Sequence, residues 1–254
     1  MTSLVGGLRN WWTAIAPACL FFCLTASPSW SQDAASLKAV DASGNTVKLP
    51  EPPEELAALI ERGNVSFEFY DPQVTVRSFM GETRFEYRYS FQSKSDWKRT
   101  VQDGKPAIEI KIDYRDIALE MDHVVSLPQD MIGDDLFERA LTLHEFDHVR
   151  ISSDPRLPAL LKSMLRERNS RVVRVLDPEE HGFRGRPSNQ DMARINKALV
   201  QESSDTVFND FVSVVSIRYR ELDRLSNYGR KALTEEQRQE VIESPPKVAE
   251  QEAK

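Results

Sequence analysis

Cysteine is almost missing from this chain. Its 254 residues include 2 Cys, Cys19 and Cys23, both inside the apolar N-terminal run Trp11–Leu24. With that run removed, no thiol remains. Disulfides and cysteine-ligated zinc are then excluded, and His, Asp, Glu and Tyr are left as metal ligands. Basic charge is short as well: 33 Lys and Arg stand against 40 Asp and Glu, for a net charge of -7. That balance argues against nucleic acid as the main partner. No apolar run reaches the roughly 20 residues a membrane-spanning helix needs. An internal repeat, a Gly-rich phosphate loop and a serine-nucleophile elbow are all lacking. Histidine is scarce, with 4 in the whole chain, yet two of them fall close together.

The N-terminus reads as an export signal over residues 1–31, with Arg9, the short apolar run, and small residues around Ala26-Ser27 and Ser29-Trp30-Ser31 for cleavage. This predicts a secreted or periplasmic protein with no stable membrane span in the mature chain. An uncleaved anchor is the competing expectation. Residues 32–60 are polar and carry Pro50, Pro52 and Pro53, which predicts a leader or linker, with a short strand near Thr46–Leu49 and a helix over Glu54–Glu61. Residues 61–235 are expected to form the folded domain. Residues 236–254, with Pro245-Pro246 and many charges, are expected to be a disordered tail.

The informative stretch is 134–151, DDLFERALTLHEFDHVRI, which contains His144-Glu145-Phe146-Asp147-His148, an H-E-x-x-H sequence. On a helix, positions i and i+4 share a face, so both imidazoles can grip one metal ion. Glu145, about a quarter turn away, can reach a water at that metal. This is the arrangement used by zinc peptidases: two His ligands plus a general base. At about 100° per residue, Phe137, Ala140, Leu141, His148 and Ile151 cluster round His144, and Asp135, Glu138, Arg139, Thr142 and Arg150 fall opposite. A helix capped by Asp134 and stopped at Asp154-Pro155 follows. Phe146 and Val149 break the pattern on the outer face, where later helices are expected to cover them.

Before the motif the period is two. Val65, Phe67 and Phe69 alternate with polar residues, as do Phe85, Tyr87, Tyr89 and Phe91. Trp97, Arg99 and Val101 lead to a turn at Asp103-Gly104, and Ile108, Ile110 and Ile112 leave it, a hairpin pattern. A further strand carries Ile117, Leu119, Met121, His123 and Val125 on one face. Five to seven largely antiparallel strands are therefore expected, with segment 117–127 lying along the cleft and open to strand addition by a substrate. His123 is a candidate substrate or site residue. After the motif come helices over Arg156–Asn169, Asn189–Ser203 and Thr206–Leu225, separated by a polar loop at 177–188.

A catalytic zinc takes three protein ligands and keeps one position open. Four residues compete for the third place or for an oxyanion role. Asp154 lies six residues after His148, at metzincin spacing, but Ile151 occupies the place of the turn-permitting glycine. Glu167 lies at gluzincin spacing between Arg166 and Arg168. His181 sits in the loop Glu179-Glu180-His181-Gly182. Tyr228 is the fourth. The layout over residues 60–235 resembles a family of bacterial secreted zinc-dependent proteases, zincin-like metallopeptidases of the H-E-x-x-H type. Members carry near their end a Tyr-Asp-x-x-Thr-x-His-Gly segment. The corresponding stretch here is Glu221-Leu222-Asp223-Arg224-Leu225-Ser226-Asn227-Tyr228-Gly229, in which Asp223, Ser226 and Gly229 fit and Tyr228 stands where the family has histidine.

The expectation is an α+β, zincin-like fold, with an antiparallel or mixed sheet followed by an active-site helix and C-terminal helices. The activity expected is that of a zinc metallopeptidase acting on a peptide or protein, with Zn2+ on His144 and His148 and Glu145 as general base. The competing expectation is a non-catalytic periplasmic metal-binding or scaffold protein that keeps a degenerate zincin fold.

Overall fold

The computed structural model describes residues 37–75, 80–168 and 170–246, so the expected export signal lies outside the described residues. In chain order the elements are β1 (Ala39–Val40), α1 (Glu54–Gly63), β2 (Val65–Tyr70), β3 (Glu82–Gln102), β4 (Lys105–Pro128), α2 (Ala140–Ser152), α3 (Leu157–Arg168), β5 (Arg171–Val175), α4 (Pro178–His181), α5 (Asn189–Ser226) and α6 (Glu235–Arg238). The sheet runs β1-β2-β4-β3, with β5 added against β4. β1 and β2, and β2 and β4, pair parallel; β3 and β5 each pair antiparallel with β4. The fold is thus α+β with a mixed sheet of five strands, less antiparallel than the alternating runs suggested.

Two long strands dominate. β3 and β4 close through Asp103 and Gly104, both at positive φ (51° and 75°), the backbone a two-residue type I′ hairpin requires. What reads as separate strands before and after residue 115 is one strand with a bulge. Ser90 pairs with Ala118 and Gln92 with Arg115, so Phe91 faces both Asp116 and Ile117. Asp116 absorbs the extra residue at φ 48°. The bulge reverses the inward phase of β4. Ile108, Ile110, Ile112 and Tyr114 are buried before it, and Ile117, His123, Val125 and Leu127 after it.

Within segment 117–127, residues 118–126 pair with β3 and residues from His123 onward also pair with β2, so strand addition is closed over 123–126. The terminal strand of this part of the sheet is β3.

Other expectations also change. Residues 37–60 belong to the folded body: Ala39, Leu56, Leu59 and Ile60 are buried in the core with β2, and β1 rather than 46–49 supplies the strand. The expected break near residue 204 is absent, and α5 runs unbroken from Asn189 to Ser226. Ser204 lies within the helix with its hydroxyl donating back to the Val200 carbonyl at 2.7 Å. The expected disordered tail is ordered through 246: α6 continues as a π-helical turn, Gln239–Glu243, that buries Val241 and Ile242. Residues 247–254 lie outside the described part.

α2 begins at Ala140, not at Asp134. Residues Leu136–Glu138 form a 3-10 turn first, and no side chain caps the helix. Thr142 and every residue from His144 to Val149 are buried, and only Ala140 and Leu143 near its start are exposed, so most of the helix is covered on all sides. Phe146 and Val149 are covered by α1 and β2, not by later helices. Ile151 packs into the second core, with α3, α5 and the hairpin. α2 therefore lies on the seam between two apolar clusters, and its histidines face that seam.

Candidate metal centre

His144 and His148 stand one turn apart on α2, ring centroids 4.8 Å from each other. The group that meets them comes from the last turn of α5. Asp223 Oδ1 lies 3.3 Å from His144 Nε2 and 3.0 Å from His148 Nε2, and one donor atom from each of the three residues falls within 4.8 Å of the others. Bonds of about 2.0–2.1 Å at tetrahedral angles put donor atoms roughly 3.3 Å apart, a spacing the two His–Asp separations match. Burial alone would raise the Asp223 pKa, but the hydrogen bonds and charges of His144 and His148 bring it down to about 2. The site therefore offers one fixed negative charge and two imidazole nitrogens.

The α5 terminus is shaped for this contact. Asn227, Tyr228 and Gly229 all take positive φ (49°, 56° and 76°), which turns the chain back across His144. A Cβ on Gly229 would sit 2.9 Å from His144 Cγ and Cδ2, so only glycine lets the backbone lie on the imidazole.

Glu145 is 2% exposed. Burial pushes its pKa above the usual carboxylate value, against the pull of the two histidines and of Thr83. Thr83, at the start of β3, approaches Glu145 Oε2 at 2.8 Å and its carbonyl at 3.1 Å. Gly81 closes over the other oxygen: a Cβ there would come within 2.3 Å of Oε1. Strand and helix together thus hold the carboxylate beside the histidine pair.

The four residues proposed for the third place fall elsewhere. Asp154 is buried in ion pairs with Arg156 (2.6 Å) and Arg218 (3.5 Å), which keep its pKa down despite burial. Glu167 lies exposed on α3 and accepts from Ser163. His181 ends α4, where its carbonyl accepts from Arg194. Tyr228 is 48% exposed at the rim, beside the glycine that touches His144. His123 is 1% exposed and bonds to the Gly63 carbonyl and to Ser152, so it packs behind the site. The residue that sequence reasoning did not name for this place is Asp223, 75 positions beyond His148. Its one signal was its place in the segment resembling the family's C-terminal motif.

Neither a protein-family model, nor a curated protein, nor a solved structure matches this chain.

Proposed function

We propose that this chain is an exported zinc-dependent metallopeptidase of zincin type, related to the bacterial secreted protease family whose motifs it resembles. The observation that carries this reading is the convergence of His144 Nε2, His148 Nε2 and Asp223 Oδ1 beside a buried carboxylate on the same helix. Zinc, when bound, supplies a Lewis acid that polarises a carbonyl and brings the pKa of water towards neutrality. Asp223, ionised through its histidine neighbours, offsets part of the cation's charge. Glu145, with its pKa raised by burial, is suited to take a proton on its carboxylate and return it to the leaving amine. Thr83 holds the opposite oxygen and fixes the orientation of the carboxylate. Since Thr83 belongs to β3, the terminal strand of the sheet, an extended peptide can pair along β3 and bring its carbonyl to the metal.

The test is direct. The purified protein is expected to hold one zinc ion, lost in His148→Ala and Asp223→Ala by metal analysis. Glu145→Gln is expected to keep the zinc and lose peptide hydrolysis by about 10²–10⁴-fold. Hydrolysis unchanged in Glu145→Gln would sink the mechanism.

The closure of the site favours a second reading. His144 is 7% and Glu145 2% exposed, and two cavities, one beside Arg62 and Asp154 and one beside Arg99 and Leu176, are lined by other residues. A protein that stores or is stabilised by a metal fits that closure. Zinc bound without hydrolysis of any peptide in a substrate library would select it.

A further inference from the structure

Metal-ligating histidines are commonly oriented by a hydrogen bond to the ring nitrogen that faces away from the metal. His148 lacks one: its Nδ1 is buried with no hydrogen-bond partner among the described residues. What lies against the ring instead is Tyr219, with centroids 4.3 Å apart. Tyr219 is four residues before Asp223, so it projects from the same face of α5 one turn earlier. Two successive turns of α5 thus face two successive turns of α2. Asp223 meets His144 and His148, and Tyr219 meets His148 and Ser152.

The Tyr219 hydroxyl is tethered, and the direction of every proton in the tether can be worked out. His123 Nδ1 faces the Gly63 carbonyl, which can only accept, so Nδ1 carries the hydrogen. Burial holds the His123 pKa below its ordinary value, against the Gly63 carbonyl and Asp122, so the ring is neutral and Nε2 must accept. Its neighbour at 2.6 Å is Ser152 Oγ, which also lies 2.9 Å from the His148 carbonyl; as Nε2 has no other donor among the described residues, the single hydroxyl hydrogen goes to the shorter contact. Ser152 Oγ then accepts from the Tyr219 hydroxyl at 2.8 Å. The order is Tyr219 to Ser152 to His123 to the Gly63 carbonyl, at the end of α1. All donors in this chain are used, and the members named are nearly or fully buried. Phe85 closes the far side of the Tyr219 ring at 5.1 Å.

We infer that Tyr219 is a positioning residue for the metal centre. Its ring sets the angle of the His148 imidazole in place of the usual hydrogen bond, and the Ser152–His123 relay anchors the ring. His123 then serves the site from behind, through two intermediaries. This inference rests on the reading of His144, His148 and Asp223 as a metal site, and it deepens that reading.

The experiment compares Tyr219→Phe with Tyr114→Phe. Tyr114 makes a similar buried contact to a serine on α5, with Ser204 Oγ at 3.1 Å, away from the metal centre. Zinc affinity is measured by chelator competition well below each variant's Tm, where all are folded. Tyr219→Phe is expected to weaken zinc binding about ten- to a hundredfold, and Tyr219→Leu, which also removes the ring, to weaken it further. Tyr114→Phe is expected to lower Tm and leave affinity unchanged. If wild type binds zinc and Tyr219→Phe binds it equally well, the positioning role is overturned. If wild type binds no zinc, the metal reading has failed by itself. The positioning role is then read from the imidazole NMR signals of His148 in the metal-free protein. A single set in wild type that broadens or doubles in Tyr219→Phe supports it, and identical signals in the two overturn it.

Discussion

Gly229 touches the imidazole of His144 with its backbone, and that contact tolerates no side chain. In Gly229→Ala the added carbon meets the ring at 2.9 Å while the residue stays at φ 76°, a backbone that itself costs alanine about 1 kcal/mol. The expected result is zinc affinity reduced at least about tenfold, read by chelator competition, with a fold intact by circular dichroism. His123 gives a separate signature. Its folded pKa lies below the ordinary value near 6.5, so below that pH the unfolded chain binds more protons than the folded one. Its share of stability is complete above about pH 6.5 and is lost as pH falls through the depressed folded value. Tm should therefore fall more steeply between about pH 6.5 and pH 5 in wild type than in His123→Gln. A parallel fall in both would rule this out. At this scale His144, Glu145 and His148 were legible because five consecutive helical residues fix their geometry. Asp223 was not, because nothing local marks an aspartate in a charged helix end as facing a histidine 75 positions earlier.

The elements were legible where periodicity speaks and illegible where two periodic stretches join. The hairpin at Asp103-Gly104 follows from its turn residues. The change of inward phase on β4, from even positions through Tyr114 to odd positions from Ile117, is visible in the sequence as two strands. Only the ladder shows that a bulge at Asp116 joins them. Long strands of this kind carry β3 from the hairpin tip to Thr83, where it meets Glu145, so the register of the hairpin reaches the site. Deleting Asp116 removes the phase reversal and turns one half of β4 inside out, and the variant is expected not to fold. Asp116→Gly keeps the extra residue and relieves its positive φ. It is expected to gain about 0.5–1 kcal/mol in urea unfolding. A loss of stability in Asp116→Gly would mean that the aspartate side chain, not the backbone, sustains the bulge.

Across the whole molecule, the C-terminal segment is fastened to the motif helix itself. Asp147, inside H-E-x-x-H and 5% exposed, is held by Arg150 at 2.6 Å on its own helix and by Arg238 of α6 at 3.2 Å. Beyond the helix, Arg218 donates to the Val241 and Ile242 carbonyls, and Arg156 to that of Glu243. Both arginines also pair with Asp154. Thus the aspartate expected as a third ligand instead orients two guanidiniums that cap the turn at 239–243. Charge and proline suggested disorder here because only two apolar residues, Val241 and Ile242, anchor the segment. The arginines that complete the anchorage lie on other elements, where a local reading does not find them. A chain ending at residue 233 loses the burial of both side chains and leaves Asp147 with Arg150 alone. Burial of two aliphatic side chains, discounted for the ordering of the segment, amounts to about 3 kcal/mol, and Tm should drop accordingly. Because Asp147 lies between Glu145 and His148, zinc affinity should also weaken, by about tenfold, as in perturbation of outer-shell partners of metal ligands. Arg238→Gln separates the two effects, since it removes the ion pair and keeps Val241 and Ile242 in place. Weakened zinc binding with little change in Tm places the coupling in the Asp147–Arg238 pair. Unchanged binding in both variants would show that the segment braces the fold without reaching the metal centre.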